Sequence, residues 1–207
     1  VRALDRALDR ALAAAPSERR LGSLSQRFES GGRGPGAVSS GRGDPGGVSY
    51  GIYQLSSRAG SVDAFLASEG AAWQAEFAGK APGSAAFSAA WQAIAAREPQ
   101  AFAAAQHAHV ERTHNRPAVG RVTGSTGLDL DARHPAVRDA TWSVAVQHGG
   151  AARILADAVA DADARKDRAD PGYDRALVEA IYARRSAYVL GVAARSAAPA
   201  RRTLETV

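Results

Sequence analysis

A mainly α (α+β) fold, with one small glycine-rich β element inserted early, is what this sequence predicts, on three observations. Apolar residues recur at three- and four-residue spacing through most of the chain, the signature of amphipathic helices. One stretch, Glu29 to Gly51, holds nine of the 21 glycines and breaks that spacing. The 207 residues, 45% of them hydrophobic, suffice for one ordinary domain with its own core.

Taken in order, Val1 to Ala15 place Leu4, Leu8 and Leu12 at i, i+4, i+8, a narrow stripe on a helix that Pro16 stops. A second helix is predicted over Glu18 to Glu29, with Leu21, Leu24 and Phe28 inward. The glycine density beyond it forbids a helix, since each interior glycine costs about 1 kcal/mol against alanine. Short strands are predicted at Ala37 to Ser40 and Val48 to Leu55, forming a small hairpin after the second helix. Beyond Leu55 the pattern is helical again. Ser61 is the expected cap of a helix carrying Phe65 and Leu66, and Trp73 and Phe77 are spaced i, i+4. Phe87, Trp91 and Ile94 line one helical face, and Pro99 opens a helix bearing Phe102, Gln106, His109, Val110 and Thr113. Asn115 to His134 reads as loop. Pro135 opens a helix with Val137, Thr141 and Val144, closed by Gly149 and Gly150. Ile154, Leu155 and Val159 mark a short amphipathic piece, Asp161 to Pro171 a solvated connection, and Tyr173 to Val192 a last helix striped by Leu177, Ile181, Tyr188 and Val192. The domain so defined spans 17–192, with 1–16 as a helical linker and 193–207 as a frayed tail.

Composition excludes several classes. Cysteine is absent, which removes disulfides, thiolate metal sites and cysteine nucleophiles. No apolar run approaches the roughly 20 residues of a membrane span, and Arg and Asp interrupt the first residues too often for a signal peptide. Methionine is missing even at position 1, as expected of a piece of a longer or processed protein. The net charge is +5, and all but two of the 26 basic residues are arginine. They are scattered and mostly sit beside Asp or Glu, without the aromatic interleaving of single-strand binders, so a nucleic-acid partner is not expected. A mildly basic surface suits any polyanion, bacterial cell wall included.

The glycine-rich insertion is where chemistry is expected. Glu29 ends an apolar helix and opens into glycine-lined backbone, a setting that can raise a carboxyl pKa by partial burial. Asp44 lies in a polar turn, where it is expected to stay ionised. Two carboxylates in unlike environments are what glycosidic bond cleavage requires, one to protonate the leaving oxygen and one to activate water or attack the sugar. Plainer readings stand beside this one. Asp44-Pro45-Gly46-Gly47 is a β-turn signature in its own right, and Glu29 can be read as a solvated residue near a helix end. His107 and His114 are seven apart without the usual His-x-x-x-His ligand pair, so no metal site is predicted and the histidines read as structural or cleft-lining. Trp73, Trp91 and Trp142 sit at packing positions, and neither a serine triad nor a phosphate loop can be assembled.

Glu29-Ser30, the glycine-rich hairpin and Gly47-Val48-Ser49-Tyr50-Gly51-Ile52-Tyr53-Gln54-Leu55-Ser56-Ser57 resemble the lysozyme-like peptidoglycan hydrolase domain at the C-terminus of some type VI secretion spike (VgrG) proteins. Related domains occur in prophage lysins, with a more distant likeness to chitosanases. The likeness runs over roughly 20–192 and continues in Gln106-His107, Glu111-Arg112-Thr113-His114, Thr141 to Gly149 and Ile181 to Arg185. It implies that Glu29 is the catalytic acid and Asp44, fifteen positions on, the second catalytic carboxylate. Ser49, Tyr50 and Gln54 match positions lining the sugar cleft. His114 and Gln147 are the other substrate-binding candidates, although Asn115 stands where an aromatic is expected after the histidine.

The expected function is therefore hydrolysis of a β-1,4 bond between amino sugars of peptidoglycan, without cofactor or metal, with inversion favoured by analogy to the chitosanase-like relatives. The alternatives are a lytic transglycosylase using Glu29 alone and a non-catalytic wall-binding module. The expected partners are peptidoglycan glycan strands, an immunity protein, and a secretion-spike carrier or fused N-terminal domain. The expected destination is the periplasm of target bacteria, reached without a signal peptide in this chain.

Overall fold

A computed structural model describes residues 34–197 of the chain. The helices expected over Val1 to Ala15 and Glu18 to Glu29, and Glu29 itself, lie outside the described residues. The described chain is mainly helical, with one two-stranded antiparallel sheet. It divides into two compact units, 34–118 and 119–197.

The first unit begins with the glycine-rich segment. Strands β1 (Ser49–Tyr50) and β2 (Leu55–Ser56) pair antiparallel, Ser49 opposite Ser56 and Tyr50 opposite Leu55. Val38 adds a single bridge to Tyr50. The sheet is shorter than the sequence predicts, because the run Val48 to Leu55 folds back on itself. Gly51, at φ 72°, turns the chain after β1. Helix α1 (Ser61–Leu66) comes next. Its N-cap is Gly60 and not Ser61, whose hydroxyl instead accepts the Ser56 N–H at 2.7 Å and ties the helix start to β2. A 3-10 helix (Ala71–Phe77), α2 (Ala85–Arg97) and α3 (Pro99–Val110) complete the packing. Ser84 caps α2 by accepting the Phe87 N–H, and Pro99 opens α3, where a missing N–H costs nothing. The aromatics expected inward on these helices are inward, whereas Phe28 lies outside the described residues and Tyr188, on the last helix, is only half-buried. Phe65, Trp73, Phe77, Phe87, Trp91 and Phe102 form one buried cluster with Tyr50 and Leu55. Trp91 and Phe102 meet edge-on at 4.7 Å, a geometry favoured by their ring quadrupoles.

After α3 the chain makes a π-helical turn, Glu111–Asn115, and then α4 (Arg116–Thr126). The sequence reads this stretch as loop. Pro117, Gly120, Gly124 and the threonines weaken helix propensity, but Ala118, Val119 and Val122 are buried, and burial outweighs propensity.

In the second unit α5 (Pro135–Gln147), α6 (Ala151–Asp163) and α7 (Tyr173–Ala197) pack through Val137, Trp142, Val144, Leu155, Val159, Leu177 and Ile181. The His134 ring accepts the Ala136 N–H and caps α5. The segment expected to be merely solvated is cross-braced: Tyr173 donates to Asp163 at 2.7 Å, and Arg168 pairs with the same carboxylate at 2.7 Å. α7 continues past the predicted Val192 end, so the residues just after Ala193 are helical, and Val192 itself is exposed and not part of the buried stripe. No helix among the described residues is long and apolar enough to cross a membrane.

Candidate active site

Asp44 sits where two tight turns meet. The Asp44 N–H donates to the Gly41 carbonyl at 3.3 Å, and the Gly47 N–H donates to the Asp44 carbonyl at 2.9 Å. Gly43 and Gly47, both at φ 75°, supply the left-handed conformations those turns need. The carboxylate is exposed, and its Oδ1 accepts the Gly46 N–H at 2.7 Å. Gly46 is held from the other side by Ser56, whose hydroxyl donates to the Gly46 carbonyl at 2.5 Å. A solvent-facing acid on a rigid backbone results.

Other predicted site residues share this hairpin. Ser49 is buried, its N–H donating to Ser39 Oγ at 2.8 Å and its carbonyl accepting the Ser39 N–H. Gln54 is half-buried and the one non-glycine residue with positive φ among the described residues, at 54°. Its side-chain amide donates to the Gly51 carbonyl at 2.9 Å, which helps hold a backbone conformation that L-residues disfavour. Tyr50 corrects the sequence expectation. It is 0% exposed, packed on Phe87 and Trp91, and its hydroxyl is taken by Ser88 Oγ at 2.9 Å and the Gly83 N–H at 3.0 Å. The ring is core and offers no face to a sugar.

What pins the hairpin to the helices is a residue the sequence placed only on an apolar helix face. Gln106, 0% exposed, accepts the Ile52 N–H at 3.0 Å and donates to the Pro35 carbonyl at 3.0 Å. Trp91 donates to the same carbonyl at 2.8 Å. Gly51 has to be glycine here, because a Cβ would collide with Gln106 Oε1. Beside it, Tyr53 Oη and His107 Nδ1 are 2.8 Å apart. A glutamine on the core side of an aromatic helix, with an isolated glycine in a strand pattern, was the available signal.

His114 lies in the π-helical turn of the same unit. Thr113 Oγ1 donates to the His109 carbonyl at 2.7 Å, so its single hydrogen is used, and the His114 Nδ1 at 2.7 Å is the donor to it. That leaves Nε2 as the acceptor of a neutral ring. Desolvation, with the nearby His109 adding to it, pushes His114 below the usual histidine range. Asn115, 1% exposed, has its Oδ1 without a hydrogen-bond partner. Gln147 belongs to the other unit, where its Oε1 accepts from Arg185. The described structure therefore gathers Asp44, Ser49, Tyr50 and Gln54 on one hairpin, with His114 elsewhere in the same unit.

A second polar cluster is not catalytic in form. Glu69 accepts from Arg112 at 2.5 Å, from Ser68 at 2.6 Å and from His109 at 2.9 Å. Arg112 foremost, then Ser68 and His109, hold its carboxyl far below the usual range against the opposing effect of burial. An acid so fixed as an anion cannot donate a proton. Ser68 and Glu69 also converge on the same ring nitrogen of His109, whereas a serine relay needs one on each nitrogen. Among the described residues no group of three or more His, Cys, Asp or Glu side chains could hold a metal ion.

A family model described as type VI secretion system spike protein VgrG3-like, C-terminal, matches residues 21–204. The chain belongs to this family. It is 41% identical over 139 residues, 67% of this chain, to the type VI secretion system spike protein VgrG3 of Vibrio cholerae serotype O1. That stretch is 13% of the relative's length, so the chain corresponds to a small part of a much longer spike protein.

Proposed function

We propose that this VgrG3-like domain is a lysozyme-like peptidoglycan hydrolase that cleaves the β-1,4 bond between amino sugars. Glu29 acts as the general acid on the leaving oxygen, and the Asp44 carboxylate activates water or stabilises the oxocarbenium-like centre. The observation that carries this is the placement of Asp44: an exposed carboxylate on a doubly braced glycine turn, fifteen residues after a glutamate, in a VgrG3-like chain. Gln54 and His114 are assigned to the substrate, His114 through its remaining acceptor nitrogen. The domain is carried by a secretion spike to the periplasm of a competing cell, and an immunity protein protects the producer.

Asp44 also caps its own turn, and that favours a second reading in which Glu29 works alone as a lytic transglycosylase. Asp44→Asn separates the two, because the amide oxygen can still accept the Gly46 N–H while the base is lost. Glu29→Gln is expected to fold and to lose about 10²- to 10⁴-fold in release of reducing ends from purified sacculi. Asp44→Asn is expected to lose a comparable factor. Full activity of Glu29→Gln sinks both catalytic readings. Anhydro-sugar products with an active Asp44→Asn establish the transglycosylase, and sacculus binding without cleavage by the unaltered domain establishes a wall-binding module.

A further inference from the structure

The described part of the first unit contains five arginines. Arg97 pairs with Glu76 and Glu98, Arg112 with Glu69, and Arg116 with Glu111. Arg42 and Arg58 make no ion pair among the described residues, and both are exposed residues of the hairpin that carries Asp44. Asp44, the hairpin's carboxylate between them in sequence, accepts the Gly46 N–H on Oδ1 and pairs with neither arginine among the described residues.

Arg58 is not a loose surface chain. Its N–H donates to the Gly46 carbonyl at 3.1 Å, and its aliphatic stem lies over Gly47, where an added Cβ would meet Cγ at 3.0 Å and Cδ at 3.2 Å. The stem thus seals the same turn that displays Asp44. Arg42 occupies the second position of the turn Gly41 to Asp44, flanked by Gly41 at φ 62° and Gly43 at φ 75°, with no side chain on either neighbour. Two exposed guanidinium groups without an acidic partner among the described residues outnumber the single exposed carboxylate of Asp44, which leaves the hairpin net positive and anion-seeking. The planar fork of arginine matches a carboxylate in two-point hydrogen bonding.

We propose that Arg42 and Arg58 bind carboxylate groups carried by the glycan strand, so that the hairpin selects a carboxylated amino-sugar polymer over a neutral one. This rests on the reading that the hairpin works on peptidoglycan, and it adds what part of that polymer is recognised. The stem-peptide carboxylates, and lactyl carboxylates wherever the peptide has been removed, are the groups of matching chemistry.

The test is co-sedimentation of the full chain carrying Glu29→Gln with purified sacculi, native or with their carboxyl groups converted to amides. Amidation is expected to weaken binding about tenfold, as loss of a charge-assisted contact should. Arg42→Gln with Arg58→Gln should lose a similar factor on native sacculi and nothing further on amidated ones. Arg42→Gln alone, which disturbs no packing, should show part of the loss. Exposed Arg121, outside the hairpin, serves as the control, and Arg121→Gln should bind like the parent. Unchanged binding of the double variant, an equal loss on both sacculi, or an equal loss from Arg121→Gln each overturns the proposal. Reducing-end release by the unaltered domain is followed in parallel. Its absence counts against the hydrolase reading alone and leaves the binding comparison intact.

Discussion

At the scale of single residues, the hairpin depends on groups that satisfy one another far apart in sequence. Gln106 serves Ile52 and Pro35 with one side chain that is fully buried. Gln106→Leu keeps the volume but strands a buried N–H and strips a carbonyl of one donor. A loss of about 2 kcal/mol is expected, read from urea unfolding monitored by tryptophan fluorescence. The turn at Asp44 was legible, because Asp-Pro-Gly-Gly carries its geometry locally. The fate of Tyr50 was not. An aromatic beside a glycine can line a groove or enter a core, and what decides is whether a partner exists for its hydroxyl. Those partners, Ser88 and Gly83, lie more than thirty residues along the chain. The positive φ of Gln54 was equally hidden, since nothing nearby marks a glutamine for it.

At the scale of elements, the Glu69 cluster joins the turn after α1 to α3 and the π-helical turn. Its carboxyl is held well below the ordinary value of 4.5, so the native state favours the anion. The resulting stability is complete above the unfolded pKa and drains away as pH falls below about 4.5 toward the native value. Glu69→Gln should therefore be less stable than the parent at pH 7 and approach it as the pH drops to about 3, with urea midpoints as the measure. A constant difference across that range would show that packing, and not charge, ties these elements. Helices built on aromatic spacing, α2 and α3, were readable because Phe87, Trp91, Ile94 and Phe102 mark the core face unambiguously. α4 was not, because its inward face is only alanine and valine set among glycine and threonine. The braces of Asp163 by Arg168 and Tyr173 also escaped notice, since charged residues in a polar stretch look alike whether paired or free.

For the molecule as a whole, a helical plan with one interruption was the durable message of the sequence, and the interruption is where the displayed acid lies. Family membership connects that plan to a spike protein, while composition and net charge decided little, because many arginines among the described residues are paired with acids. The π-helical turn at Glu111–Asn115 has a consequence for the chain as a whole. Wide turns of this kind arise when a helix accommodates a surplus residue, and each surplus residue swings the rest of the helix by about 100°. Excising Thr113 would restore regular winding, yet it would also carry Asn115 and Ala118 off their buried bearings. The shortened protein is expected to melt several degrees lower in a thermal scan followed by circular dichroism, despite its tidier backbone. The irregularity is thus a phase-setting device, and an insertion or deletion there should be tolerated far less well than one at the exposed Asp167 loop.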